Sequence, residues 1–373
     1  MKSLALTIVL LLIFPWASLA QSNRGLGKYD FFFTGQNFND RRMSIIKDGR
    51  VVWSYHESED YDDYRNVPGE ANGRPGESSD AVWMNDNHIL VAGQYQIYEI
   101  AVDTMNWTHR VVWRHSWKRP DYEVHSVMPI GRKYVAYIQC GNSPKGGDRF
   151  EYNEKYPTKL IVRDIATWSI VRALDIPYDG CKRHNLNRSN TLTPWGTFVF
   201  ASMEKDCAYE IDSHGNVVNS IHQDGLWGVE VCPGEGRRLL LTSENSSEVS
   251  EYDLDQGNKK IWTYRWADDP TIRSNPAYIG NKTGKFRLSV QKGYRLGDGT
   301  TVMTNWGGWD TGSNGDTFDN EHQPIQARGV DKDGNVVWEL QSWNGADYLG
   351  PSTIFQLLSE PINRDSLHFG NIE

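Results

Sequence analysis

Long apolar runs, excess positive charge and closely spaced cysteines are all scarce in this sequence. Of its 373 residues, 38% are hydrophobic and the mean hydropathy is −0.61, which excludes a protein built from several membrane-spanning helices. The 39 lysines and arginines are outnumbered by 48 aspartates and glutamates, so the net charge is −9. An acidic chain of this kind is unfavourable for general nucleic-acid binding. The four cysteines form no C-x-x-C pair and no histidine is suitably spaced, so a zinc site is not predicted, and the sequence gives no indication of a cofactor.

The first twenty residues contain the long apolar run of this chain. Lys2 precedes the apolar residues 4–16, and the small residues Ser18 and Ala20 are typical of a signal-peptidase site before Gln21. The run is shorter than the roughly 20 residues that a membrane span needs, although an uncleaved anchor is the alternative. The pattern therefore predicts a signal peptide over 1–20 and a secreted, extracellular domain over 21–373.

A secreted chain favours structural disulfides and allows glycosylation. Four cysteines permit three pairings, and the sequence does not choose among them. They are Cys140, Cys181, Cys207 and Cys232. Four N-x-S/T sequons begin at Asn106, Asn187, Asn245 and Asn281.

Glycine and large aromatic residues are abundant, with 34 Gly, 15 Trp and 18 Tyr, which is typical of a β-rich protein with many tight turns. One unit recurs along the chain: an alternating strand, an Asp/Gly turn, and a second strand that often carries Trp. The turn aspartates of its copies are Asp48, Asp103, Asp164, Asp212, Asp253 and Asp331. Their spacings of 41 to 78 residues bracket the repeat length of a four-stranded propeller blade with its loops.

A second hairpin precedes most of these units, and two hairpins make one four-stranded blade. The sequence therefore predicts an all-β chain forming a single β-propeller, with six blades counted and seven if residues 253–331 contain another. A β-sandwich with irregular repeats is the alternative. The first unit lacks its inner strand, whereas residues 352–358 are a spare strand at the C-terminus. We therefore expect the ring to close by pairing the two ends of the chain, which removes an exposed edge.

The predicted loops differ strongly between the two faces of the ring. Turns at one face are short, whereas long segments at the other face span 58–79, 140–157, 178–187, 268–286 and 306–324. Long loops on a rigid scaffold commonly carry binding sites, so the long-loop face is the expected functional face. Aligning the hairpins on their turns places His125, Arg188, Trp227 and Gln291 at one equivalent position at this mouth. The ends of the second strands add Gln94, Tyr95, Gln139, Glu204, Asn305 and Trp306.

The chain has further cations close to Arg188, namely His184 and the pair Lys182-Arg183. Together with His125 they predict an anion pocket with aromatic walls, suited to a carboxylated sugar or a sulfate. Structural roles are the alternatives: Arg188 paired with Asp80 or Glu204, His125 as a hydrogen-bonded core residue, and the tryptophans as packing between blades. Asp80, at the start of an inner strand, either binds substrate or caps loop backbone. A loose likeness of residues 310–321 to a calcium loop is too irregular to predict a metal site.

Several segments of the sequence resemble a family of secreted β-propellers. The segments are Glu123-VHSVMPIG, His184-NLNRSNTLTPWGTFVF, Thr304-NWGGWD and Leu349-GPSTIFQLLSEP. This family includes bacterial rhamnosidase-like propellers and fungal L-rhamnose-α-1,4-D-glucuronate lyases that act on gum arabic side chains, and it is distantly similar to arylsulfotransferase propellers. The resemblance covers residues 29–361, and His125, His184, Arg188 and Gly196-Thr197 match its pattern.

The resemblance implies a polysaccharide lyase that cleaves a rhamnose–glucuronate linkage by β-elimination. In that reaction Arg188 neutralises the uronate carboxylate, either His125 or His184 removes the C5 proton, and the other histidine or Tyr95 protonates the leaving oxygen. The expected substrate-binding residues are Gln139, Asn305, Trp227, Trp306, Gln94, Gln291 and Asp80. The expected partner is an acidic glycan such as gum arabic-type arabinogalactan side chains, with no nucleic acid and no membrane, and the expected state is a monomer.

Three other activities remain open from the residues alone. Hydrolysis requires two facing carboxyl groups, and the positions of Asp80, Glu204 and Glu230 in the sequence do not make a pair. Sulfate transfer would use the histidines with Arg183 and Arg188. A carbohydrate-binding protein without catalysis would stack sugars on Trp227, Trp306 and Trp309.

Overall fold

The computed structural model describes residues 25–37, 40–56, 78–93, 96–117, 122–141, 158–177, 189–203, 205–244, 246–274, 288–305, 325–342, 349–350 and 352–372. These residues form six antiparallel sheets that follow one another around a ring. The predicted β-propeller is confirmed, with six blades rather than seven in the part of the chain described. No helix within these ranges is long and apolar enough to cross a membrane. The predicted signal peptide, 1–20, lies outside them.

The first three blades contain strands β1 to β12. Blade 1 contains β1 (Phe31–Asn37), β2 (Asp40–Lys47) and β3 (Arg50–His56). Blade 2 contains β4 (Ser78–Trp83), β5 (His88–Gly93), β6 (Gln96–Asp103) and β7 (Thr108–Ser116). Blade 3 contains β8 (Tyr122–Glu123), β9 (Val127–Ile130), β10 (Tyr134–Gly141), β11 (Lys159–Asp164) and β12 (Ile170–Asp175).

The remaining blades contain strands β13 to β24. Blade 4 contains β13 (Asn190–Leu192), β14 (Phe198–Ser202), β15 (Cys207–Ile211) and β16 (Val217–His222). Blade 5 contains β17 (Leu226–Val231), β18 (Arg238–Ser243), β19 (Glu248–Asp253) and β20 (Lys259–Arg265), and the short helix α1 (Pro270–Ser274) follows it. Blade 6 contains β21 (Val290–Arg295), β22 (Thr301–Asn305), β23 (Ala327–Val330) and β24 (Val336–Leu340).

The repeated Asp/Gly turns connect the two outer strands of the blades, as the sequence predicts. Asp103 accepts hydrogen bonds from the backbone N–H groups of Met105 and Asn106, at 2.9 and 3.3 Å. Asp212 and Asp331 make the same kind of contact with their own turns. A side-chain carboxylate that satisfies turn N–H groups stabilises the tight connection, which explains why aspartate recurs there.

The last strand, β25 (Ser352–Leu357), closes the ring. It pairs antiparallel with β1, so that Phe355 lies opposite Phe33 and Leu357 lies opposite Phe31. The rings of Phe31 and Phe355 stack with centroids 5.0 Å apart. The expected pairing of the chain ends is therefore confirmed: β25 is the innermost strand of blade 1, and it covers the edge that β1 would otherwise expose.

Residues 358–372, which we call the C-terminal strap, cross the short-turn face after β25. The sequence does not predict this segment. Its backbone hydrogen-bonds to three blades, and the pairs are Trp83 with Ile362, Gly131 with Leu367, and Gly196 with Gly370. Phe369 of the strap is fully buried and contacts Phe198, which anchors the segment in the core.

The cysteines do not support the expected disulfide framework. Cys207 and Cys232 are thiols, and no disulfide joins the cysteines of the described ranges. Burial raises the pKa of Cys232 to about 12, so this thiol is unreactive at neutral pH. Cys181 lies outside the described residues.

Candidate functional site: the axial channel

The inner strands of the blades all run from the long-loop face to the short-turn face. Their first residues therefore gather at the long-loop end of the axis, where the site is predicted. Much of this face lies outside the described residues, including most of the predicted long loops. The predicted site residues that lie outside the described residues are Gln94, Tyr95, Lys182, Arg183, His184, Arg188, Glu204, Trp306 and Trp309.

Three of the predicted residues lie at irregularities of the inner strands. Trp227 and Gln291 occupy bulges, where the pairing of β17 with β18 and of β21 with β22 shifts register. His125 lies in the break between β8 and β9. All three side chains are buried, with Trp227 8% exposed and the other two fully enclosed.

Blades 3 and 4 are held together at the axis next to the predicted histidine and arginine positions. The side-chain amide of Asn190 donates to the carbonyl oxygen of Ser126 at 3.2 Å, and the Asn190 backbone N–H lies 3.4 Å from the Ser126 hydroxyl. Ser126 directly follows His125 in the sequence. Asn190 is preceded by Ser189, whose hydroxyl bonds to both backbone groups of Val229 in blade 5. The start of β13 is therefore anchored on both sides.

Gln291 has an amide without a hydrogen-bond partner. Its side chain is completely buried, and neither the oxygen nor the nitrogen of the amide is bonded within the described structure. Leaving such a group unsatisfied costs roughly 1–3 kcal/mol for each lost partner. A ligand that bonded to this amide would remove that cost.

Asn305 and Gln139 are less available to a ligand than the sequence suggests. The amide of Asn305 accepts the backbone N–H of Ser289 and donates to the carbonyl of Ile325, each at 3.0 Å. These bonds hold the entry and exit of blade 6 together, which is a structural role. Gln139 is buried in β10, opposite Lys159 of β11.

A lysine that the sequence reasoning missed, Lys292, lies at the centre of the channel. Its ammonium is 2.8 Å from Oδ1 of Asp80 and 3.5 Å from Oε1 of Glu230. Asp80 also accepts the Ser126 hydroxyl at its other oxygen. Asp80 therefore pairs with Lys292 rather than with loop backbone, and it meets Glu230 although their positions in the sequence give no indication of a pair. The feature of the sequence that could have indicated this cluster is the placement of Lys292, a charged residue, within an inner strand.

The charges of this cluster are strongly perturbed. Burial opposes the charge of Lys292, but the attraction of Asp80, Tyr294 and Glu230 raises its pKa above the usual value. Burial raises the pKa of Glu230 to about 7, with the neighbouring Asp80 adding to the effect and Lys292 opposing it. Glu230 can therefore gain or lose a proton near neutral pH, as a general acid or base must.

A cavity of about 660 Å³ opens from this cluster toward the short-turn face. Asp80, Lys292, Glu230 and Asn190 form its polar inner end, and the C-terminal strap contributes to its walls. His125, Trp227 and Gln291 do not line it. The axis therefore has two chemically different ends, one at the long-loop face and one at the short-turn face. The sequence predicts a site only at the long-loop end.

No family model and no curated protein sequence matches this chain. Among solved structures, it is similar to a protein of unknown function from Bacteroides caccae, with a TM-score of 0.58 and 14% identity over 85% of this chain and 95% of that chain. It also aligns with the Dos1 propeller, with a TM-score of 0.43 and 13% identity over 83% of this chain and 67% of that chain. A virginiamycin B lyase from Staphylococcus aureus aligns with a TM-score of 0.40 and 9% identity, over 70% and 68% of the two chains. The likeness to the Bacteroides caccae protein extends to the fold alone.

Proposed function

We propose that this protein is a secreted polysaccharide lyase that cleaves a rhamnose–glucuronate linkage at the long-loop end of the axis. The observation that carries the proposal is the buried, unbonded amide of Gln291. Buried polar groups without partners are rare in native proteins and call for an explanation, and a missing ligand is one. A uronate supplies both hydroxyl and carboxylate groups for such an amide.

The contact between Ser126 and Asn190 supports the proposal that a histidine and an arginine act together at this end of the axis. It holds together two strand starts that are distant in sequence. His125 precedes the first of these residues by one position, and Arg188 precedes the second by two. An imidazole and a guanidinium at the same end of the axis are the groups that elimination next to a carboxylate requires.

In the proposed reaction, Arg188 pairs with the uronate carboxylate and Gln291 donates to it, which acidifies the C5 proton. A base removes that proton, the C4–C5 double bond forms, and the C4–O bond breaks. The proton delivered to the departing oxygen releases rhamnose. Either His125 or His184 is the base, and the other histidine or Tyr95 protonates the leaving oxygen.

The test is incubation with gum arabic, following both released rhamnose and the far-ultraviolet absorbance of an unsaturated uronate. Rhamnose with a matching absorbance increase is the expected result. Rhamnose without the double bond would mean hydrolysis, and retention of the glycan without release would mean a binding protein. Absence of any interaction with the glycan would reject the proposal.

Gln291→Leu separates a ligand-binding amide from a structural one. It should lower kcat/KM by about 10- to 100-fold, because a hydrogen bond to a charged group is lost, while the unfolding midpoint stays unchanged or rises. Gln326→Leu is the matched control, since the Gln326 amide is equally buried but bonds to Ser342 and Gly350. The control should lose stability instead. Full activity in Gln291→Leu would contradict the assignment.

A further inference from the structure

The cavity at the short-turn face is large enough to hold a small molecule. Its volume of about 660 Å³ lies within the roughly 300–1,000 Å³ of typical ligand pockets. Most of its walls are apolar side chains from several blades and from the C-terminal strap, among them Met128, Leu192, Val231, Phe355, Ile362 and Leu367. Such walls favour a ligand with an apolar body.

The inner end of the cavity offers mainly hydrogen-bond acceptors. The Glu230 carboxyl group lines it and its side chain is 22% exposed. Asn190 is 1% exposed, and its side-chain oxygen has no partner within the described structure, although its nitrogen is bonded to Ser126. The ammonium of Lys292 is already directed at two carboxyl groups. The ligand must therefore supply the donors.

The charge of the inner end also favours a cation. Two carboxylates, Asp80 and Glu230, surround one ammonium, Lys292, so the cluster carries one net negative charge when Glu230 is ionised. An anionic ligand would be repelled and would find few free donors. A primary ammonium has three donors, which suffice for Glu230 and Asn190 together.

We propose that this cavity is a second ligand site that binds a small organic amine, with the ammonium held by Glu230 and Asn190 and the apolar body against the cavity walls. Gln291 does not line this cavity. The second site does not depend on the proposed glycan cleavage.

Binding at this site should depend on pH through Glu230. The titratable groups that face Glu230 are Asp80 from β4, Lys292 and Tyr294 from β21, and Cys232 just after its own strand. Lys292 stays charged and Tyr294 stays neutral around pH 7, because the pKa values of both are raised. Cys232 also stays neutral there. Burial raises the pKa of Asp80 as well, although the charge and hydrogen bond of Lys292 and the hydrogen bond of Ser126 oppose that shift. With a pKa of about 7, Glu230 changes its charge between pH 6 and pH 8.

The experiment is calorimetric titration of the full protein with 2-phenylethylamine, 2-phenylethanol and 3-phenylpropionate. A carboxyl group with a pKa of about 7 is about one-tenth ionised at pH 6 and about nine-tenths at pH 8. The amine should therefore bind about tenfold more tightly at pH 8 than at pH 6, and more tightly than the alcohol at pH 8. Alcohol binding equal to that of the amine, tighter binding of the propionate, or no amine binding at millimolar concentration would overturn the proposal.

Glu230→Gln tests the residue directly because it removes the charge and keeps the shape. The variant should bind the amine about tenfold more weakly at pH 8 and lose the pH dependence. Glu235→Gln is the matched control, since Glu235 lies exposed on the turn that follows β17 and does not line the cavity. Unchanged amine affinity in Glu230→Gln would overturn the proposal, and should that variant not fold, the pH dependence of the wild-type protein decides.

Discussion

Lys292 and its two carboxyl partners show how a single residue organises the axis. Lys292 and Asp80 are almost completely buried, and their attraction compensates for the loss of water around both charges. Glu230 has a weaker contact with the same ammonium, which leaves its proton exchangeable near neutral pH. The three side chains come from β4, β17 and β21, so this cluster exists only in the closed ring.

Lys292→Met should destabilise the protein by about 3–5 kcal/mol, because it leaves Asp80 buried without a counter-ion. The double variant Lys292→Met/Asp80→Asn should recover part of the loss, since the unpaired charge is then removed as well. Urea unfolding of the two variants beside the wild type measures both effects. A loss below about 1 kcal/mol in the single variant would show that the pair contributes little.

Glu230 should make stability depend on pH. Its pKa is raised from 4.5 in the unfolded chain to about 7 in the fold, so between these values the native state binds more protons than the unfolded state. Stability from this group is therefore present below pH 4.5 and is lost as the pH rises toward 7, by up to about 3 kcal/mol. Comparing wild type with Glu230→Gln at pH 5 and pH 8 isolates the effect, and a stability difference that stays constant with pH would contradict it.

At the scale of the elements, β25 carries more of the fold than its position at the end of the sequence suggests. Phe355 is fully buried and contacts both Phe31 and Trp338, with ring centroids 5.0 and 5.1 Å apart. The strand therefore joins the core between blades 1 and 6 as well as the sheet of blade 1.

Phe355→Ala should cost about 3–5 kcal/mol of unfolding free energy, because it removes a large buried ring and leaves a cavity. Val337→Ala is the comparison, since Val337 lies on the outer strand β24 and is 39% exposed. Its cost should stay within about 0.5 kcal/mol. Denaturant melts of the two variants test the contrast, and equal losses would mean that β25 does not hold the ring closed.

For the whole molecule, ring closure and the C-terminal strap connect blades that are distant along the chain. β25 belongs to the sheet of blade 1, and the strap hydrogen-bonds to blades 2, 3 and 4. Arg364 of the strap also pairs with the buried Glu99 at 2.8 Å. Contacts of this kind couple the blades into one cooperative unit.

The described propeller should therefore unfold in one transition, with tryptophan fluorescence and far-ultraviolet circular dichroism giving the same midpoint. Phe355→Ala should lower both midpoints together. Two separated transitions in the wild type would show that some blades unfold independently.

The fold was predictable because its signals are local. The turn aspartates such as Asp103 and Asp331 mark the outer hairpins, and the spare strand at 352–358 indicates the closure. The site was less predictable. Trp227 and Gln291 do lie at matching bulges, whereas Asn305 has a structural role at a loop connection. Lys292 was not predicted as a site residue, because one lysine in a strand does not indicate which residues it will contact.

The sequence by itself therefore determined the blade repeat, the turns and the closing strand, since each depends on residues a few positions apart or on a whole-strand pattern. Only the tertiary structure decided that Asp80, Glu230 and Lys292 meet, that the Gln291 amide is left unbonded, and that a cavity opens beside the C-terminal strap. The physical reason is that these features arise where six blades converge. Distances between side chains on separate blades depend on the radius and register of the ring, which no local pattern encodes.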